Sequence, residues 1–291
     1  MNNIDKNNRF EWYASGNAPL LFPTELVMGN FLFEDLSKVN IPESTPFANP
    51  WGKAVSMHLL PDNSHPVPKY ILIAWLSIVE SKFYMVADEL PQEKIKALLA
   101  EKNEETNEPK YNMLIAGMAP YGKLAIWLSG SGITTEAAWL QGKEAPIEMK
   151  DFAPKSKLSK EEYARQTLAE CKEAYQNFKE NGLPDPMLFE QYMQKFNYKI
   201  TPKFENETTF FKAIEINYYN GELNTVETKK YDPDYVMQAK PSKIVLKWSD
   251  YRRNYTGCFF ADEKKITEIF HNYFGDDTQK EGNLIIEADA S

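Results

Sequence analysis

The side chains of this sequence that could do chemistry come in pairs and small patches. Asp88-Glu89 and Asp262-Glu263 each complete an Ala-Asp-Glu tripeptide between an aromatic strand and a helix. Two carboxylates facing each other across a cleft are what glycoside hydrolysis needs. An acid ahead of a helix also satisfies its orphan amides, and that structural use is the commoner one. Tyr251-Arg252-Arg253-Asn254-Tyr255 is a basic and aromatic patch in an acidic chain. It suits an anion or a protein surface, because Tyr and Arg are frequent interface anchors. It equally suits a turn whose arginines pair with local acids. Trp51, in Asn49-Pro50-Trp51-Gly52, and Tyr121, in Met118-Ala119-Pro120-Tyr121-Gly122, place aromatic groups on connecting segments, where binding residues concentrate. A hairpin connection explains Tyr121 without any function.

Other chemistry does not assemble. The three histidines are His58, His65 and His271. The first two stand seven apart in a loop with Asp62 between them, too loose for a metal signature, and His271 falls late in a helix where a cation suits the dipole. Gly130-Ser131-Gly132 lacks the lysine of a phosphate loop and the spacing of a hydrolase elbow, so it reads as a strand exit. The sequence nominates no catalytic residue, no metal ligand and no cofactor.

The chain has 291 residues, 43% of them hydrophobic, enough for one large domain or two modest ones. A net charge of −9 argues against a nucleic-acid partner held through phosphates and against an anionic membrane surface. It suits a basic protein partner. Cys171 and Cys258 lie in unlike contexts and read as free thiols, as in a reducing compartment. Neither a signal core nor a run of roughly twenty apolar residues is found, so a soluble, cytoplasmic protein is expected.

The elements that must position these groups centre on residues 69–127. A strand over 70–76, a second near 83–86, a helix over 92–102 and a strand pair at 112–116 and 123–128 carry the densest apolar sequence. Ser159, followed by Glu161-Glu162, caps the clearest helix, which runs to Asn181-Gly182. A second helix over 187–195 reads as capped by Asp185 with Pro186 at its first turn. Asn220-Gly221 supplies the two positive φ values of a type I′ hairpin. Strands at 243–248, 255–260 and 283–287 and a helix over 264–274 finish the chain.

The last quarter echoes the centre. Pro68-Lys69-Tyr70-Ile71-Leu72-Ile73-Ala74-Trp75 matches Pro241-Ser242-Lys243-Ile244-Val245-Leu246-Lys247-Trp248. Ile95, Leu98 and Leu99 match Ile266, Ile269 and Phe270 in the helices that follow. The class is α+β, with mainly antiparallel sheets built from hairpins. Two β-rich halves, each with a β-β-α-β unit and related by duplication, are expected at 1–150 and 198–291, joined by a helical insert at 151–197.

Several phrases together resemble a bacterial family known as domain of unknown function 2931. They are Trp75-Leu76-Ser77 with Glu80-Ser81-Lys82-Phe83-Tyr84, Ala116-Gly117-Met118-Ala119-Pro120-Tyr121-Gly122 with Ala125-Ile126-Trp127-Leu128, Tyr198-Lys199-Ile200-Thr201-Pro202-Lys203-Phe204, and Tyr219-Asn220-Gly221-Glu222. The resemblance supplies no catalytic residue. Some relatives are lipoproteins, whose lipidated cysteine is missing here, and others look associated with interbacterial toxin or secretion loci. The resemblance implies no established activity; together with the acidic charge and the lack of a coherent catalytic constellation it points to a non-enzymatic cytoplasmic binding protein. The most concrete form is an immunity protein that neutralises a cognate toxin of a type VI or related contact-dependent system, with a basic toxin domain as partner. The alternatives are a carboxylate-based hydrolase of a carbohydrate-like substrate and an accessory or scaffold protein of a secretion system.

Overall fold

The computed structural model describes residues 9–55, 63–204, 209–227, 231–250 and 252–288. His58 and Tyr251 lie outside them. The chain is α+β, with mainly antiparallel sheets, and forms two compact units, Met1–Pro186 and Met187–Ser291.

The first unit holds β1 (Arg9–Glu11), β2 (Tyr13–Asn17), β3 (Thr24–Leu32), β4 (Lys38–Asn40), β5 (Ser64–Pro66), β6 (Tyr70–Ser77), β7 (Lys82–Glu89), α1 (Gln92–Ala100), β8 (Met113–Ala119), β9 (Lys123–Gly130), β10 (Ile133–Gln141), β11 (Lys143–Glu144), α2 (Met149–Phe152), α3 (Lys160–Glu170) and α4 (Lys172–Asn181). One sheet runs β11-β7-β6-β3-β4, antiparallel throughout. In the other, β2 lies parallel to β8, which pairs antiparallel with β9, and β9 with β10.

The nearly unbroken apolar run of β6 follows from burial on both faces. Ile71, Ile73 and Trp75 enter the main core. Leu76, with Ile78 and Phe83, packs on Leu168 and Ala174 of α3 and α4. The helical segment expected to join two halves therefore covers the second face of this sheet.

The second unit holds α5 (Leu188–Met193), β12 (Lys195–Phe204), β13 (Phe210–Tyr218), β14 (Leu223–Glu227), β15 (Val236–Ala239), β16 (Pro241–Ser249), β17 (Asn254–Phe260), α6 (Glu263–Phe274) and β18 (Gly282–Ala288). Its core joins Phe196, Tyr198, Ile214, Leu246 and Ile286 to Ile266, Phe270 and Phe274 of α6. The Phe196 ring lies 5.1 Å from that of Phe270 and 4.9 Å from that of Phe274.

The two units share a topology. The order β7-β6-β3-β4 in the first is matched by β17-β16-β13-β14 in the second, with every pair antiparallel. After each hairpin comes a helix and then a strand parallel to the opening strand: β8 beside β2, and β18 beside β12. Even the short β1–β5 ladder has a counterpart in β12–β15. The correspondence is one of strand order and direction, independent of any shared descent. One difference stands out: β8 has β9 on its second side, whereas β18 forms the edge of its sheet among the described residues.

Four local expectations are corrected. The helix from Ser159 is two helices, broken at Cys171, whose φ of −87° and ψ of 80° leave the helical region. Asp185 does not cap α5, whose N-cap is Met187. At the Asn220-Gly221 turn only Gly221 has a positive φ; the Gly221 amide donates to the Tyr218 carbonyl and the Tyr218 amide to that of Glu222. That is a type I turn closed by a glycine bulge, not type I′. Finally, β7 runs on to Glu89, so Asp88 and Glu89 are strand residues.

Candidate functional site

In the first unit the singled-out residues have different settings. Trp51 stands edge-on to Trp127, with ring centroids 4.6 Å apart, against a small apolar cluster behind β8 and β9. Tyr121 has a left-handed backbone, φ 61°, held by its amide donating to the Glu80 carboxylate at 2.9 Å. Its hydroxyl donates to the Pro184 carbonyl at 2.7 Å. The same Glu80 accepts from Ser77 and Tyr84, both at 2.7 Å. Tyr121 is thus tied down on two sides, and burial pushes its hydroxyl pKa up. Asp88 and Glu89 are exposed, and the Asp88 carboxylate accepts the Glu89 amide.

In the second unit the carboxylate of Asp250 organises the basic turn. It accepts the amides of Arg252 and Arg253 at 2.9 and 2.7 Å and the Tyr255 hydroxyl at 3.0 Å. These bonds, that of the Arg253 amide first, hold the Asp250 pKa below the usual carboxylate value. Of the two readings of this turn, the pairing of the guanidinium groups of Arg252 and Arg253 with local acids is absent among the described residues. Asp262 is a helix cap: its side chain accepts the Lys265 amide at the start of α6.

Glu263 belongs to a cluster that the sequence did not reveal. Lys240, only 3% exposed, has its ammonium pKa pushed down by burial, with Glu263 opposing the shift. Tyr192 stacks on Tyr219 at 5.2 Å. Burial, aided by Glu263, pushes the Tyr219 hydroxyl up to about 12. Lys240 also lines a cavity of about 260 Å³ with Gln191, Gln194, Thr267 and His271. Adjacent residues in sequence, Lys240 next to Ala239-Pro241, gave no signal of this, because it is the fold that buries the lysine.

The open face of α6 was also unforeseen. Ile269 is 56% exposed, Tyr273 46% and, on β18, Ile285 54%. Ile269 and Tyr273 border a depression of about 100 Å³ whose other wall is Gly282, Asn283 and Leu284. Residues 262–288 carry seven acids against three lysines. Exposed apolar side chains bordering a groove are a feature common at protein-binding surfaces. Among the described residues, no group of three or more His, Cys, Asp or Glu could hold a metal, and no helix is long and apolar enough to cross a membrane. Cys171 and Cys258 are free thiols.

A family model described as a protein of unknown function (DUF2931) matches residues 1–185, ending one residue before the boundary of the first unit. The phrases at 198–204 and 219–222 fall outside the matched residues. No curated protein matches the chain. No solved structure matches it.

Proposed function

We propose that this chain, which belongs to the family of proteins of unknown function DUF2931, acts as a non-enzymatic protein-binding partner. The observation that carries this reading is the groove beside α6, bordered by the exposed Ile269 and Tyr273, with Ile285 exposed on the opposite face of β18, in a stretch, 262–288, that carries seven acids against three lysines. Exposed apolar groups of this size gain most when a second surface removes them from water, and the acids select a basic partner and speed its approach. In its most concrete form the partner is a basic toxin domain, and the chain is the cytoplasmic immunity protein that neutralises it. The Asp262 carboxylate serves its helix, which fits binding better than hydrolysis by paired acids.

The test pairs the full chain with the secreted protein encoded beside it. Co-purification and restored growth of cells making that protein are expected. Absence of both a complex and protection would overturn the immunity reading.

A further inference from the structure

The first unit shows what the matching place in the second is shaped to hold. There, β9 lies along β8 with large apolar groups on both of its faces. Leu124, Ile126 and Leu128 enter the main core, while Ala125 and Trp127 meet Ile115 on the other side. Leu98 of α1 also packs against that core. In the second unit β18 pairs with β12 through residues 282–288 and, among the described residues, has no strand on its other side. Ile269, the counterpart of Leu98, is open, and so is Ile285 on the far face of β18.

Sheet edges are normally blunted by proline, lysine or a bulge. None interrupts β18, whose one charged residue, Glu287, is paired with Lys203 at 3.0 Å. We infer that the open edge of β18 and the groove beside α6 form a docking site for an extended segment of a partner protein. That segment runs antiparallel to β18, is apolar on both faces and is flanked by lysine or arginine.

The occupant follows from two observations. The strand β9 gives its direction and its apolar residues, and main-chain bonds to an open edge supply affinity while side-chain pockets select sequence. The seven acids against three lysines of residues 262–288 set its charge. They also disfavour a second copy of this chain, since two net-acidic stretches would be brought together on a protein of net charge −9.

The site rests on the binding role proposed above, and the experiment separates the two. The probe is a synthetic peptide with the sequence of residues 123–130 and two added lysines at each end. A control peptide carries Ile126→Pro, which removes a ladder donor. With the full chain, the first peptide should slow amide exchange in residues 282–288 and the control should not. Ile269→Asp and, on the opposite face, Ile285→Asp should each weaken the peptide about tenfold or more, since a buried anchor commonly contributes that much. Unchanged exchange in β18 at saturating peptide, equal binding of the control, or dimerisation through this edge would overturn the site. A cognate partner that binds while leaving β18 unprotected would overturn the site and leave the binding role standing.

Discussion

Leu98 and Ile269 occupy the same position in two helices of the same topology, yet Leu98 is packed against a core and Ile269 is 56% exposed. The two settings also differ in β9, the strand beside β8 that has no counterpart beside β18 among the described residues. An aspartate should therefore be tolerated at one site and not at the other. Leu98→Asp is expected to cost about 1–3 kcal/mol, because a charge is forced against an apolar core. Ile269→Asp should stay within about 0.5 kcal/mol, as surface changes usually do. Urea denaturation of both variants checks the contrast, and equal losses would contradict it.

Glu25 is 4% exposed, and the Tyr163 hydroxyl donates to it at 2.8 Å. Burial raises its carboxyl pKa above the ordinary 4.5, partly offset by Tyr163, and the hydroxyl of Tyr163 is itself pushed up to about 12, mainly by burial. Since the folded state holds the proton more tightly, this group favours folding below pH 4.5, and that contribution is lost as pH rises from 4.5 through the folded pKa. Glu25→Gln should flatten this slope and raise stability at pH 7. Tyr163→Phe should lower it by about 1–3 kcal/mol, by taking one donor from a buried carboxylate that keeps only Thr167 as a side-chain partner. Denaturation midpoints across pH 4–7 read both effects.

Lys240 has the opposite sign. Its folded pKa lies below 10.5 because burial penalises the ammonium. The unfolded chain binds the proton more tightly, so this group's contribution to stability rises with pH through the window below 10.5. Lys240→Met, similar in length and uncharged, should be neutral or stabilising at pH 7 and should remove that rise. A marked loss of stability would show that the ammonium has a partner it needs.

Glu80 joins β6, β7 and the Tyr121 turn through its bonds to Ser77, Tyr84 and the Tyr121 amide. Glu80→Ala leaves those donors without an acceptor and is expected to cost about 2–4 kcal/mol. Glu80→Gln, which can still accept, should cost less. Thermal unfolding ranks the two variants.

Most strands and the helix starts were legible because their signals are local. Apolar runs marked β6, β16 and β18, and Ser159 caps α3 as its place before Glu161-Glu162 indicated, with Glu162 completing a capping box. The break at Cys171 was not legible, because Leu168 and Ala174 must both reach the same sheet face and only the folded sheet imposes that. Asn220-Gly221 misled because the same dipeptide serves a glycine bulge when asparagine keeps a negative φ. Asp262 was readable as a cap, whereas Asp88 was not readable as a strand residue, since both follow the same aromatic pattern. The open edge of β18 and the burial of Lys240 depend on which strand pairs with which, and no local pattern records an absent neighbour.

The most direct measurement is amide exchange across the full chain, alone and saturated with its cognate protein partner. The expected result is new protection concentrated in residues 282–288 and around Ile269 and Tyr273. Protection confined to the first unit, or none anywhere on a chain that fails to bind, would contradict the account.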